Sequence, residues 1–364
     1  MKVRSYIRNI ITLRIERELY MKRCRNCLLP ENFPNVKLDD NRICNFCLHG
    51  DYISGSVIPK KSSSITKKEE LKKDFENFVE KCRGINEYDC LLLFSGGKDS
   101  TYLLYLLKHH YKLNVLALTV DNGLLNPLAK QNIEIVVKKL NVEHLFFTQG
   151  YDFFRKLYRY YLTHPEKRTF CDKICEVCSS AIHSIGLNVA VKKKIPFVAL
   201  AYSPDQIDNH FFEISKQELS QSWIPKELFN EYFSNDDRIY FWSPKNTDNF
   251  PRFFLPFHVI EYPSIEVIIK KVTKLGLISK RKASPGGTNC HLLWLLMYLD
   301  IKKSGYNPFV KSLSNLIRDN KIDSKRMVVK FFIGNWLLKA GVIKRKSIKR
   351  SLDYLNLSKK DILL

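Results

Sequence analysis

The chain has 364 residues, 45% hydrophobic and 27% charged, which fits a globular protein of more than one domain and excludes a disordered or fibrous one. Sixty Lys and Arg against thirty-seven Asp and Glu give a net charge of +23; this favours RNA, acidic nucleotide-linked substrates or an anionic membrane surface, although the cations are scattered through every region as on any lysine-rich surface. No uninterrupted apolar stretch is as long as a bilayer span, and the opening segment carries Glu16 and Glu18 in place of a signal core, so the reading is a cytoplasmic protein with no membrane span.

Residues 1–20 read as an N-terminal extension ahead of an alternative start at Met21. Residues 21–50 form a compact cysteine module in which Cys24-x2-Cys27 and Cys44-x2-Cys47 bracket sixteen residues. Four thiolates at this spacing predict a structural zinc, with a rubredoxin-like iron site open because its ligands are the same. In so short a segment the metal replaces a core the chain cannot build. Residues 51–87 supply a Ser/Gly/Pro linker and then an amphipathic helix over 67–82, with Leu71, Phe75 and Phe78 on one face.

From Tyr88 to about Tyr202 strands and helices alternate. The pattern predicts strands over 90–94, 113–120, 143–148 and 196–201, and helices over 100–110, 127–140, 151–162 and 176–193. Such alternation implies an α/β domain over 88–208, a parallel sheet with helices on both faces and ligands at the carboxyl ends of its strands. After Asn209 the chain is irregular, then mostly helical (264–275, 290–304, 309–319, 325–339). That C-terminal region, 209–364, reads as a substrate or partner domain.

The first strand runs straight into Ser95-Gly96-Gly97-Lys98-Asp99-Ser100 and a helix. Adjacent glycines let the backbone approach a bound group closely, and the amides that open a helix attract an anion, most naturally phosphate. The loop is not a Walker A sequence, because Gly97-Lys98 is followed by Asp99 rather than Ser or Thr. Ser-Gly-Gly-x-Asp-Ser resembles the PP-loop of the N-type ATP pyrophosphatases, which split ATP between its α- and β-phosphates. The resemblance implies a PP-loop, HUP-like fold in which Ser95, Gly96, Gly97 and Ser100 cradle pyrophosphate. Lys98 would then neutralise charge, and Asp99 would hold a magnesium ion. At the end of the second strand, Val120-Asp121-Asn122-Gly123-Leu124-Leu125 resembles the matching segment of GMP synthetase. This puts backbone around Leu118 at the adenine edge and Asp121 near ribose or metal, with a plain Asp-Asn-Gly turn as the other reading of Asp121. The fourth strand end, Ala201-Tyr202-Ser203-Pro204-Asp205-Gln206, is within reach of substrate or nucleotide.

Cys171, Cys175 and Cys178 fall at or just before the start of a sheet helix, and Cys290 lies far along the chain before an apolar one. They read as a metal or cluster site, zinc and iron–sulfur both standing, with Cys175 and Cys178 as candidate catalytic residues. From Met21 to about Tyr202 the layout resembles the N-acetyl sugar amidotransferase group of the PP-loop superfamily: Cys24-x2-Cys27-x2-Pro30, Cys44-x2-Cys47, the loop, then Cys175-x2-Cys178. That resemblance implies adenylation of a substrate oxygen and displacement of AMP by ammonia from a glutaminase partner, on a nucleotide-linked sugar of surface polysaccharide synthesis. Cys175-x2-Cys178 plus Cys290 is also similar to the tRNA-thiolating PP-loop enzymes, where three thiolates hold a 4Fe–4S cluster; that implies sulfur in place of nitrogen, on tRNA or a small molecule. A persulfide on a low-pKa thiolate is a third arrangement. An ATP- and zinc-binding adaptor without turnover is the reading from another class.

Overall fold

The computed structural model describes residues 23–49, 64–164, 169–203, 250–279, 290–318 and 324–362, with isolated positions 213, 214, 230, 232–234, 237, 240 and 283. The extension at 1–20, most of the linker and Pro204-Asp205-Gln206 lie outside the described residues.

Five strands, β1 Cys90–Leu93, β2 Val115–Val120, β3 Glu143–Phe147, β4 Phe197–Leu200 and β5 Arg252–Phe254, make one parallel sheet in the order β3-β2-β1-β4-β5. Every residue of β1 and β4 is buried, as a parallel sheet covered on both faces requires. Leu93 pairs with Leu118 on one side and Leu200 on the other, so β1 is central and the chain reverses direction across the sheet there. The sequence predicts β1 to β4. β5 falls in the stretch read as irregular, because three residues are too few to show a period; its pairing with β4, Ala199 opposite Phe254, defines it.

On one face pack α2 Ser64–Cys82, α3 Lys98–Tyr105, α4 Pro127–Leu140 and α7 Ile265–Lys274, with α3 continuing as a π-helical turn through His110. Phe75, Leu104, Ile133, Val136 and Ile268 close that layer over Leu92, Ala117 and Phe197. The opposite face carries α6 Phe170–Lys192, paired with α5 Tyr151–Thr163. Thr169 caps α6 by accepting from Asp172 N, so the helix starts six residues before the predicted 176 and takes in all three cysteines. By length and composition α6 is the one described helix able to cross a bilayer. Here it is a sheet-packing helix: Ile174, Val177, Ala181, Ile185 and Leu187 are buried, and a Cβ on Gly186 would come within 2.9 Å of Leu93.

The chain divides into two compact units. The sheet unit is Pro59–Leu296 with Lys346–Leu364, and it takes the last two helices, α11 Arg345–Leu355 from Lys346 on and α12 Lys359–Ile362. The other unit joins Met1–Ile58 to Met297–Arg345 and contains the short α1 Asn45–His49, α9 Val310–Arg318 and α10 Ser324–Lys339. Between them α8 His291–Ser304 carries the chain from one unit to the other. The cysteine module needs those helices. Leu29 is buried beside Tyr306 and Val310, and Leu28 beside Leu313, Ile317 and Phe332.

Candidate functional site

The loop leaves β1 at the carboxyl edge of the sheet, where Phe94 N still donates to Leu118 O at 2.8 Å. Gly96 then takes φ +71, and an added Cβ would meet the Ala129 carbonyl oxygen at 2.6 Å and Ile133 Cγ1 at 2.7 Å. Only glycine fits between the loop and α4. Asn132 fixes the turn from below by donating to Gly96 O at 3.0 Å. Gly97 caps α3 in extended backbone, and the first helical bond runs from Thr101 N to Gly97 O. The amides of Lys98, Asp99 and Ser100 therefore precede the helical ladder, the arrangement that receives an anion. Ser95 Oγ lies 3.1 Å from Ser100 Oγ, and Ser100 Oγ donates to Gly97 O at 3.2 Å, so both hydroxyls are held at the turn.

Lys98 is 7% exposed and pairs with Asp99 at 2.5 Å. The other Asp99 oxygen accepts from Tyr262 OH at 2.9 Å. Tyr262 was invisible to sequence reasoning: it comes from 163 residues further on, in a segment without a motif.

At the strand end after β2, where the sequence puts nucleotide contacts around Leu118 and at Asp121, both residues are buried. Leu118 sits within the ladder, its carbonyl taken by Phe94 and its side chain buried. Asp121 is 1% exposed, and its carboxylate accepts from Gly123 N (3.0 Å), Tyr151 OH (3.1 Å) and Lys130 Nζ (2.6 Å). Those contacts make Asp121 the brace of the Asp-Asn-Gly turn. Next to it, Asn122 accepts from Leu124 N through Oδ1 (3.1 Å) and donates through Nδ2 to Tyr158 OH (2.8 Å).

Tyr158 in turn lies 2.9 Å from Cys178 Sγ, which ties the β2 end to α6. Along α6, Cys171, Cys175 and Cys178 recur on one face, with Cys171 and Cys175 sulfurs 3.9 Å apart. The half-buried Cys290 joins them: His291 N donates to Leu124 O at 2.8 Å, and Cys290 is close enough to Cys175 and Cys178 for charge on either to raise it. Burial pushes the Cys290 thiol up to about 12 and Cys178 up to about 11, the latter against the opposing hydrogen bond from Tyr158. A helix-start thiolate of low pKa, one of the arrangements the sequence allows, does not fit Cys178, which lies in the third turn among other thiols. A cation would reverse this balance, since metal binding deprotonates its thiols. Among the described residues, the one group of three or more such ligand atoms all within 4.8 Å of one another is the first cysteine set, so zinc and iron–sulfur both stand for the second.

That first set closes as expected. Cys24 and Cys47 sulfurs are 3.8 Å apart, and Cys27 and Cys44 sulfurs 3.6 Å. Tetrahedral Zn–S bonds of ~2.3 Å put ligand sulfurs ~3.8 Å apart, so the four thiols fit zinc. Cys44 N donates to Cys24 Sγ at 3.3 Å, the outer hydrogen bond such sites use.

Tyr202 OH at the β4 end lies 3.2 Å from His183 Nε2 on α6.

No family model matches the chain. It is 37% identical over 84 residues to an uncharacterized protein of Methanocaldococcus jannaschii, a match spanning 23% of this chain and 30% of that relative's length. Among solved structures it is similar to a U34-tRNA thiolase of Methanococcus maripaludis with its 4Fe–4S cluster, at 15% identity over 91% of this chain and 88% of that one, TM-score 0.36. An NH3-dependent NAD synthetase of Campylobacter jejuni, in complex with nitrate, is 14% identical over 74% of this chain and 96% of its own, TM-score 0.36. An NMN synthetase of Francisella tularensis is 13% identical over 80% and 97%, again with TM-score 0.36.

Proposed function

We propose that the sheet unit is an ATP-dependent adenylating enzyme of the PP-loop kind. The observation that carries this is the loop itself: a left-handed Gly96 pressed on α4, two facing hydroxyls and a helix start at the central strand's carboxyl end. A substrate oxygen attacks the α-phosphorus of ATP, the α–β bridge bond breaks and pyrophosphate leaves with its electron pair. The amides of Lys98, Asp99 and Ser100 and the Ser95 and Ser100 hydroxyls hold those phosphates. Lys98 offsets their charge, and Asp99, held by Lys98 and Tyr262, would supply an oxygen to a magnesium ion bound with the phosphates. The substrate carbon then carries AMP, and an incoming nucleophile displaces it.

Sulfur is the nucleophile this reading favours, supported by the thiols of Cys171, Cys175 and Cys178 on one face of α6 and by Cys178 lying beside Tyr158 and Asn122 at the β2 end. Cys171, Cys175, Cys178 and Cys290 would hold an iron–sulfur cluster, which when bound supplies a site for the incoming sulfur. Nitrogen is the second reading. The zinc-type module ahead of the loop favours it, with ammonia from a glutaminase partner and a nucleotide-linked sugar as acceptor.

Titration with MgATP and assay of pyrophosphate release, with RNA or sugar nucleotides as acceptor and sulfide or ammonium as donor, tests the scheme. AMP and pyrophosphate are the expected products; ADP and phosphate, or no binding of ATP, would overturn it. Iron and a visible absorbance band in anaerobically purified protein, both lost in Cys175→Ala, are expected for sulfur. A colourless protein holding zinc alone favours nitrogen.

A further inference from the structure

Helix α11 breaks a rule of helix stability. Its first two turns carry Arg345, Lys346, Lys349 and Arg350 and no acid, although the positive end of the helix dipole favours Asp or Glu there. Residues placed against a local rule mark function or strain. Ile348, Ser351, Leu352 and Leu355 are buried, which leaves Lys346, Lys349 and Arg350 exposed on the outer side. None of the three has an acidic partner among the described residues, and Asp353, the helix's one acid, makes no ion pair with them.

The helix is fastened to the segment beside Cys290, to α5 and to the turn after β2. Ser347 Oγ lies 3.0 Å from His291 Nδ1, the neighbour of Cys290. Tyr354 donates to Tyr151 O at 2.6 Å and fills the space beside Gly123, whose Cβ would stand 2.5 Å from the Tyr354 ring. Arg159 of α5 donates to the Leu355 and Asn356 carbonyls at the helix end. Tyr151, 38% exposed, hydrogen-bonds Asp121 at the same place.

We propose that α11 is an RNA-docking helix of this enzyme, with Lys346, Lys349 and Arg350 following successive phosphates of a substrate strand toward the thiol cluster. This rests on the adenylating reading and names its acceptor class. Lys346 and Arg350 are ~6 Å apart along the axis, so with Lys349 they suit a run of phosphates better than one anion. A run of cations along one helix face supplies the charge that tracks a single-stranded backbone. The three cations lie within five residues of the chain, and the helix puts them on one exposed face.

The experiment measures binding of a labelled single-stranded RNA oligonucleotide to the full chain, without ATP, over a range of KCl concentrations. The triple variant Lys346→Glu/Lys349→Glu/Arg350→Glu is compared with Lys73→Glu/Lys81→Glu/Lys138→Glu, which changes the charge equally at exposed sites elsewhere in the same unit. The α11 triple should weaken binding at least about tenfold and reduce the slope of log K against log salt by about 2, from ~0.7 for each phosphate contact. The control should change affinity less than about threefold. Triple Gln substitution on α11 gives the same test with a milder change, should the Glu variant lose its native circular dichroism. Equal losses in both triples, no loss in either, or loss of binding to phosphatidylserine vesicles with RNA binding intact would each overturn the proposal. MgATP titration of the same proteins separates the two readings. RNA binding independent of α11 with ATP binding intact defeats the docking helix alone, whereas absent ATP binding defeats the adenylating reading.

Discussion

Gly96 shows how much one residue can decide. Its left-handed φ and the carbonyl oxygen of Ala129 leave no volume for a side chain, and backbone cannot move aside as a flexible side chain can. Gly96→Ala is expected to cost about 2–4 kcal/mol in urea unfolding, the left-handed penalty of ~1–2 plus the clash, and to abolish MgATP binding. Tyr158→Phe removes the hydroxyl that receives the buried Asn122 amide and meets Cys178. It should cost about 1 kcal/mol by leaving the Asn122 amide only its long contact to Cys178 Sγ, again read by denaturant unfolding. Burial, helped by Lys68, lowers His258 from 6.5 to about 4. A base lowered in the folded state is protonated first in the unfolded chain. Its contribution is therefore complete above about pH 6.5 and is lost as pH falls toward 4. Melting temperatures measured across that window should decline, and His258→Gln should flatten the decline. Flat profiles in both proteins would refute this assignment.

Among the elements, those with a period or a cap were legible. The β1 strand, the loop and α3 follow one another in sequence with apolar run, glycines and helical face in order, and the structure places them so. Helix α6 shows where patterning stops short. Its first turns hold Cys171 and Cys175 where an apolar stripe would announce a helix, and the capping Thr169 is what starts it. Thr169→Ala should cost about 1 kcal/mol and raise amide exchange in the cysteine turns. The cysteine module offers four thiols to a metal, which is expected to hold it together with the helices it packs on. Stripping metal with a thiol-directed chelator should abolish exchange protection over residues 23–49, and Cys27→Ser should do the same without the chelator. Retained protection in the stripped protein would exclude a metal-held module.

In the whole molecule, two units of different construction should respond to different ligands. Calorimetry is expected to resolve a transition that chelation lowers and another that MgATP raises, by about 2.7 kcal/mol at a hundredfold excess over Kd. A single transition moved by both treatments would show that the units unfold together. The sequence alone determined the chemistry-bearing pieces, the Gly96–Gly97 turn and the paired cysteines, because their geometry is set by residues a few positions apart. Tertiary structure alone decided which distant residues complete them. Tyr262 reaches Asp99, Tyr354 of α11 braces Gly123, and Tyr306 and Val310 pack on the cysteine module's Leu29. Hydrophobic periodicity says that a face must be buried but not against what; that choice is made by the fit of surfaces far apart in the chain.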